Sequence, residues 1–254
     1  MKNKIGIIGA FLLALMVSCF AVSAASVTIR PDGSGTHSSW ALTSCGAGAS
    51  SWNCVDEIGL NTSDNLSTTI QGAAVSFSFS NLALDPSATI DSVTLNYWGR
   101  RVSSTRFEVE PLIVSNGSNY TGGITNLTSV WSLYSKIYTT NPATGTAWTI
   151  SSVDALEAGL KASSGSNRGG GLAQMHAVVN YTIPNSCTDS DGGIVLDVKG
   201  NVTGFASSNK YTHNDFCETS VILTEWYCSG TSPAAINTSC ATNTTTTCSA
   251  GRCV

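Results

Sequence analysis

The chain has 254 residues and a formal net charge of −4, and charged side chains make up only 11% of it, against about 25% in an ordinary soluble domain. No basic run occurs, which argues against binding to nucleic acid or to an anionic membrane, since both need clustered Lys and Arg. Hydrophobic residues reach 42%, so a sizeable core can form and low charge does not mean disorder.

The N-terminus pairs a basic head, Met1-Lys2-Asn3-Lys4, with an apolar run over 5–17 and small residues at Val22-Ser23-Ala24. That pattern predicts a signal peptide over 1–24, hence an exported protein with no membrane span after its removal. Removing Cys19 with it leaves eight cysteines, an even number as a disulfide framework in an oxidising compartment needs. Cys45 and Cys54 stand alone in the first two-thirds and predict one short closed loop. Cys187, Cys217, Cys228, Cys240, Cys248 and Cys253 crowd the tail, and their fifteen possible pairings stay open. Glycosylation sequons begin at Asn61, Asn65, Asn116, Asn119, Asn126, Asn180, Asn201, Asn237 and Asn243, consistent with a shielded, exported surface.

Between the leader and the tail, apolar and polar residues alternate over 73–79, 90–98 and 106–114, which predicts strands. In the last of these Phe107 and Val109 face one way and Arg106, Glu108 and Glu110 the other. Further strands are expected at 27–30, 131–139 and 172–183, separated by turn clusters such as Asp85-Pro86-Ser87 and Asn116-Gly117-Ser118-Asn119. A cap-like Thr149 before Val153 and Asp154 predicts one or two helical turns, followed by a strand over 157–162 and a loop over 163–171. The expected architecture is all-β: an antiparallel β-sandwich or jelly roll with one short helix over 25–184, then a small disulfide-rich β module over 185–254.

Three stretches, Ala88-Thr89-Ile90-Asp91-Ser92-Val93-Thr94-Leu95, residues 139–149 and Val153-Asp154-Ala155-Leu156-Glu157-Ala158-Gly159-Leu160, resemble jelly-roll, galactose-binding-like modules of secreted bacterial, archaeal and phage surface proteins. The resemblance implies a fold and an extracellular setting rather than an activity. The tail, with Cys187-Thr188-Asp189-Ser190-Asp191-Gly192-Gly193, Asp215-Phe216-Cys217, Leu223 to Cys228 and Gly251-Arg252-Cys253, resembles a small cysteine-rich module appended to archaeal surface proteins.

Catalytic patterns are missing. His37, His176 and His213 hold no metal-ligand spacing, no Gly-x-Ser-x-Gly elbow occurs, and no Cys-x-x-Cys pair suggests zinc. Glu108 and Glu110 sit about 7 Å apart on one strand face, a spacing that a glycosidase could use but that a solvated face with Arg106 explains better. Two acidic groups are candidate structural calcium sites. Asp189 and Asp191 open like an EF-hand, but Gly193, Ile194 and Gly200 stand where that loop needs other residues. Asp56, Glu57 and Asp64 are the densest acids near the start of the sandwich, where related jelly rolls hold calcium. Sugar rings stack on exposed aromatic faces, and Trp52, Tyr97 and Trp98 are the candidates, the last two on opposite faces of one strand.

The sequence reading is therefore a secreted or cell-surface recognition or adhesion protein, not an enzyme, with glycan or a surface polymer as partner. The alternatives are a subunit of an extracellular filament, in which 27–30 swings on a Pro31–Gly35 hinge into the next copy, and a polysaccharide-active enzyme.

Overall fold

Alternation places every second side chain of a strand on one face, and in this protein that rule builds two facing sheets. A computed structural model describes residues 24–43, 45–46, 49–104, 106–163, 169–242 and 247–254. Residues 1–23 of the expected leader, Cys19 among them, Asn243, and 164–168 of the expected loop lie outside the described residues. The strands in chain order are β1 (Ala25–Ile29), β2 (Pro31–Ser38), β3 (Ala41–Thr43), β4 (Asn65–Thr68), β5 (Ala74–Phe79), β6 (Thr89–Arg101) and β7 (Phe107–Ser115). They continue with β8 (Ser118–Thr121), β9 (Thr125–Leu127), β10 (Ser132–Tyr138), β11 (Glu157–Ala162) and β12 (Gly170–Thr182). The tail holds β13 (Ser186–Asp189), β14 (Asn201–Ala206), β15 (Asn209–Asn214), β16 (Phe216–Cys217), β17 (Ile222–Ser229), β18 (Ser232–Ser239), β19 (Cys248–Ser249) and β20 (Arg252–Cys253).

The first sheet runs β10-β6-β12-β4-β3 with β1 also on β12, and the second runs β2-β5-β11-β7-β8 with β9 on β7. Leu95 and Tyr97 of β6 and Met175 and Ala177 of β12 share one buried cluster with Phe77, Phe107, Val109 and Leu160 of the other sheet. Each large apolar side chain closed in this way contributes about 1.5–3 kcal/mol. The result is an antiparallel β-sandwich. Along one edge of β12, Gly170–Leu172 pair with β4 and Ala177–Tyr181 pair with β1. In the interval the carbonyl of Val55, the residue after the Cys45–Cys54 disulfide, accepts from the Met175 amide at 2.8 Å and fills the gap in the ladder.

The helix is α1 (Ile150–Asp154), capped reciprocally: the Ser152 amide donates to Thr149 Oγ1 and the Thr149 amide to Ser152 Oγ. Ser152 does the work that a capping acid would do, and Asp154 instead accepts from the Leu82 amide at 2.7 Å.

The segment expected as a hinge is strand. Residues 31–35 belong to β2, which pairs with β5, and β1 pairs with β12 of its own chain. Between Ser34 and Ser38 the register shifts and the strand arches over Glu157. Thr36 donates its amide and hydroxyl to the Glu157 carboxylate, and Ser76 Oγ donates to the same group. A Cβ on Gly35 would lie 2.7 Å from both Glu157 Oε1 and Ser76, so a glycine is required there by contact rather than by flexibility.

In the tail, Cys187–Cys228, Cys217–Cys248 and Cys240–Cys253 cross-link three small sheets, β13-β14-β15, β16-β17-β18 and β19-β20. Its buried apolar cluster is small: Leu223 with Cys240, Cys248 and Cys253. The chain passes from β12 to β13 across Ile183, Pro184 and Asn185, and the Ile183 amide donates to Ser208 Oγ at 3.0 Å.

Candidate functional site

The outward face of the β10-β6-β12 sheet gathers aromatic, amide and guanidinium groups. Tyr97 pairs in register with Tyr134 and Met175 and points inward; Trp98 pairs with Leu133 and Gln174 and points out, as do Asn96, Ser135 and His176 beside it. Tyr97 is only 1% exposed and stacks on Tyr134 at 5.5 Å, and burial pushes its hydroxyl up to about 12. It has no face left for a ligand, so the adjacent aromatic pair divides: Tyr97 is core and Trp98 is half-exposed surface. Trp52 is also half-buried, packed against the core from the disulfide loop.

Trp131, just before β10, adds a second outward indole. Arg100, two residues beyond Trp98, lies 4.7 Å above its ring centroid, a cation–π contact that holds both groups flat. A Cβ on Gly171 would come within 3.0 Å of the Trp131 ring, so glycine at that position lets the indole lie against the strand. Hydrogen bonds fix the polar neighbours. Ser135 Oγ donates to Asn96 Oδ1, and Gln174 Nε2 and Arg30 Nη1 both donate to the Glu57 carbonyl. Burial first, then the Arg30 charge, holds His176 below the usual histidine range. Sequence reasoning missed the Trp131–Arg100 pair, because only the β6–β10 pairing brings Trp131 to that face.

A cleft of about 600 Å³ opens beside α1, lined by Leu84, Pro86, Trp148, Ile150 and Asp154 among others. Trp148 is 4% exposed and donates its indole N–H to the Tyr138 carbonyl, so the one aromatic of the cleft offers no open face.

The acids fall into two groups. Asp56, Glu57 and Asp64 lie close enough to repel, and burial, reinforced by that repulsion, raises the Glu57 carboxyl. They do not bring three carboxylates together. Among the described residues, the grouping of three metal-capable side chains is Asp191, Asp215 and Glu225, whose oxygens lie within 4.8 Å of one another. Asp189 adjoins them and, after burial, helps push Asp191 up to about 6. Burial, then repulsion from Asp215, Asp191 and Asp189, pushes Glu225 up to about 7. Convergent, raised carboxyls can mark a catalytic centre, but Asp215 and Glu225 are 2% and 0% exposed, with no room for a sugar between them. Glu108 is ion-paired to Arg106 on the sandwich surface. Of the sequons, Asn116, Asn119, Asn126 and Asn237 are exposed and Asn61, Asn180 and Asn201 half-buried. Asn65 is buried, its side chain donating to the Thr62 carbonyl, and the fold closes it to a glycan.

The class defined by these elements is a β-sandwich followed by a disulfide-rich β module. No protein-family model matches the chain, and no curated protein matches it. Solved structures similar to it include the C-terminal CBM6 of LamC, a marine laminarinase from Zobellia galactanivorans, at 13% identity over 61% of this chain and 99% of that one, with a TM-score of 0.36. A family 16 carbohydrate-binding module (16% identity, 46% and 77% covered, TM-score 0.27) and a CBM4 structure (17%, 49% and 84%, 0.26) are also similar. At these scores the superpositions carry no inference about this chain. No helix among the described residues is long and apolar enough to cross a membrane.

Proposed function

We propose that this is an exported, non-catalytic glycan-recognition protein whose binding surface is the outward face of β10-β6-β12. One observation carries the reading: two half-exposed indoles, Trp98 and Arg100-backed Trp131, share that face. Indole faces match the apolar faces of sugar rings, and a guanidinium beside them can donate to their hydroxyls. Four disulfides support an oxidising compartment. The filament alternative is weakened because β1 completes its own sheet. Affinity electrophoresis through soluble polysaccharides tests the proposal. Trp98→Ala is expected to cost about 2 kcal/mol, or thirtyfold in affinity, with an unchanged circular dichroism spectrum. Full retention of binding in that variant sinks the assignment.

A further inference from the structure

We propose that the tail carries a calcium site built from Asp189, Asp191, Asp215 and Glu225. Glu225 sits mid-strand in β17, fully buried, and its Oε2 has no hydrogen-bond partner. Its other oxygen accepts from the Val195 amide at 2.8 Å, which fixes the carboxylate. Both oxygens of Asp191 and Oδ2 of Asp189 are likewise buried without partners. An unpaired buried carboxylate is costly, and three converging without a cation, with Asp189 beside them, are costlier still. The neighbouring charges of Asp215, Asp191 and Asp189 all act to raise Glu225.

The donor set points to the ion. One oxygen from each of Asp191, Asp215 and Glu225 lies within 4.8 Å of the others, close enough for one cation to touch all three, and calcium takes such oxygen ligands. The donors are all hard oxygens, while every tail cysteine is in a disulfide and His213 is stacked on Trp226, which leaves nothing for zinc. Gly200 completes the cradle, since a Cβ there would lie 2.5 Å from Asp191 Oδ2. Asp215 is oriented by the amides of Gly200 and Trp226. The ligands come from the end of β13 and the connection after it, the β15–β16 junction and β17, so a bound ion would tie two of the small sheets together.

The test uses the disulfide-intact full chain, stripped with a chelator and titrated with Ca²⁺ by calorimetry and with Tb³⁺ by luminescence sensitised from Trp226. One ion per chain is expected, with affinity in the range of extracellular modules, about 10⁻⁴–10⁻³ M or tighter. Glu225→Gln and Asp191→Asn should each weaken it by about tenfold or more, while Asp56→Asn leaves it unchanged. Absence of saturable binding to the wild-type chain at millimolar calcium overturns the proposal. So does full affinity in both Glu225→Gln and Asp191→Asn, or loss of the ion on Asp56→Asn alone.

Discussion

Reduction should unfold the tail and spare the sandwich. The tail bonds close segments of 41, 31 and 13 residues, and the chain-entropy relation assigns them about 4, 4 and 3 kcal/mol. At about 0.1 kcal/mol per residue, a folded unit of some 70 residues holds roughly 7 kcal/mol in total, so losing any two bonds exhausts it. The loops overlap and their contributions do not add fully, yet the apolar reserve is little more than Leu223 among cystines. The sandwich loses only Cys45–Cys54, with a separation of 9 and a worth of about 2.5 kcal/mol, against a core drawn from both of its sheets. Limited proteolysis with and without reductant, read by mass spectrometry, is the assay. The expected product is a resistant fragment ending near Pro184, with cleavage throughout the tail. Equal resistance of both parts after reduction, or earlier loss of the sandwich, refutes the reasoning.

Two further outcomes follow from contacts in the sandwich. Gly159→Ala places a Cβ 1.8 Å from the Val75 carbonyl in the middle of the second sheet, and should cost about 3 kcal/mol, seen as a melting point lower by roughly 6–12 °C. The His176 shift predicts a pH effect on stability. With its folded value below 6.5, the unfolded chain binds more protons, so His176 stability is present at neutral pH and is lost as pH falls through and below that value. Denaturant midpoints from pH 7.5 to 5 should fall less steeply in His176→Gln, and an unchanged slope would remove His176 as the cause.

The central strands were legible because their two faces differ. Val93, Leu95 and Tyr97 alternate into the core, and Ile90 joins them across a register shift at Asp91 that the pattern did not show. β2 was not legible, since Gly33, Ser34, Gly35 and Thr36 lie on an edge with no apolar period and are held by Glu157 rather than by burial. The tail pairings could not be read at all, because disulfide partners are chosen by the folded backbone. Asp189 and Asp191 drew attention by their spacing, but Asp215 and Glu225 are distant in sequence. The signal that could have found Glu225 is an acid inside the apolar stretch Ile222 to Trp226, where a charge needs a partner. Likewise, Trp98 stood out beside Tyr97, whereas Trp131 and Arg100 needed the β6–β10 pairing to come together.

The most direct test of the recognition surface is an NMR titration of the full chain with a panel of oligosaccharides, following the indole N–H signals of its six tryptophans. Trp98 and Trp131 should shift with a binding sugar, while Trp40 and Trp148, each 4% exposed, stay fixed. Shifts confined to Trp52 or Trp226, or no shift across neutral and acidic polysaccharide classes, would contradict it.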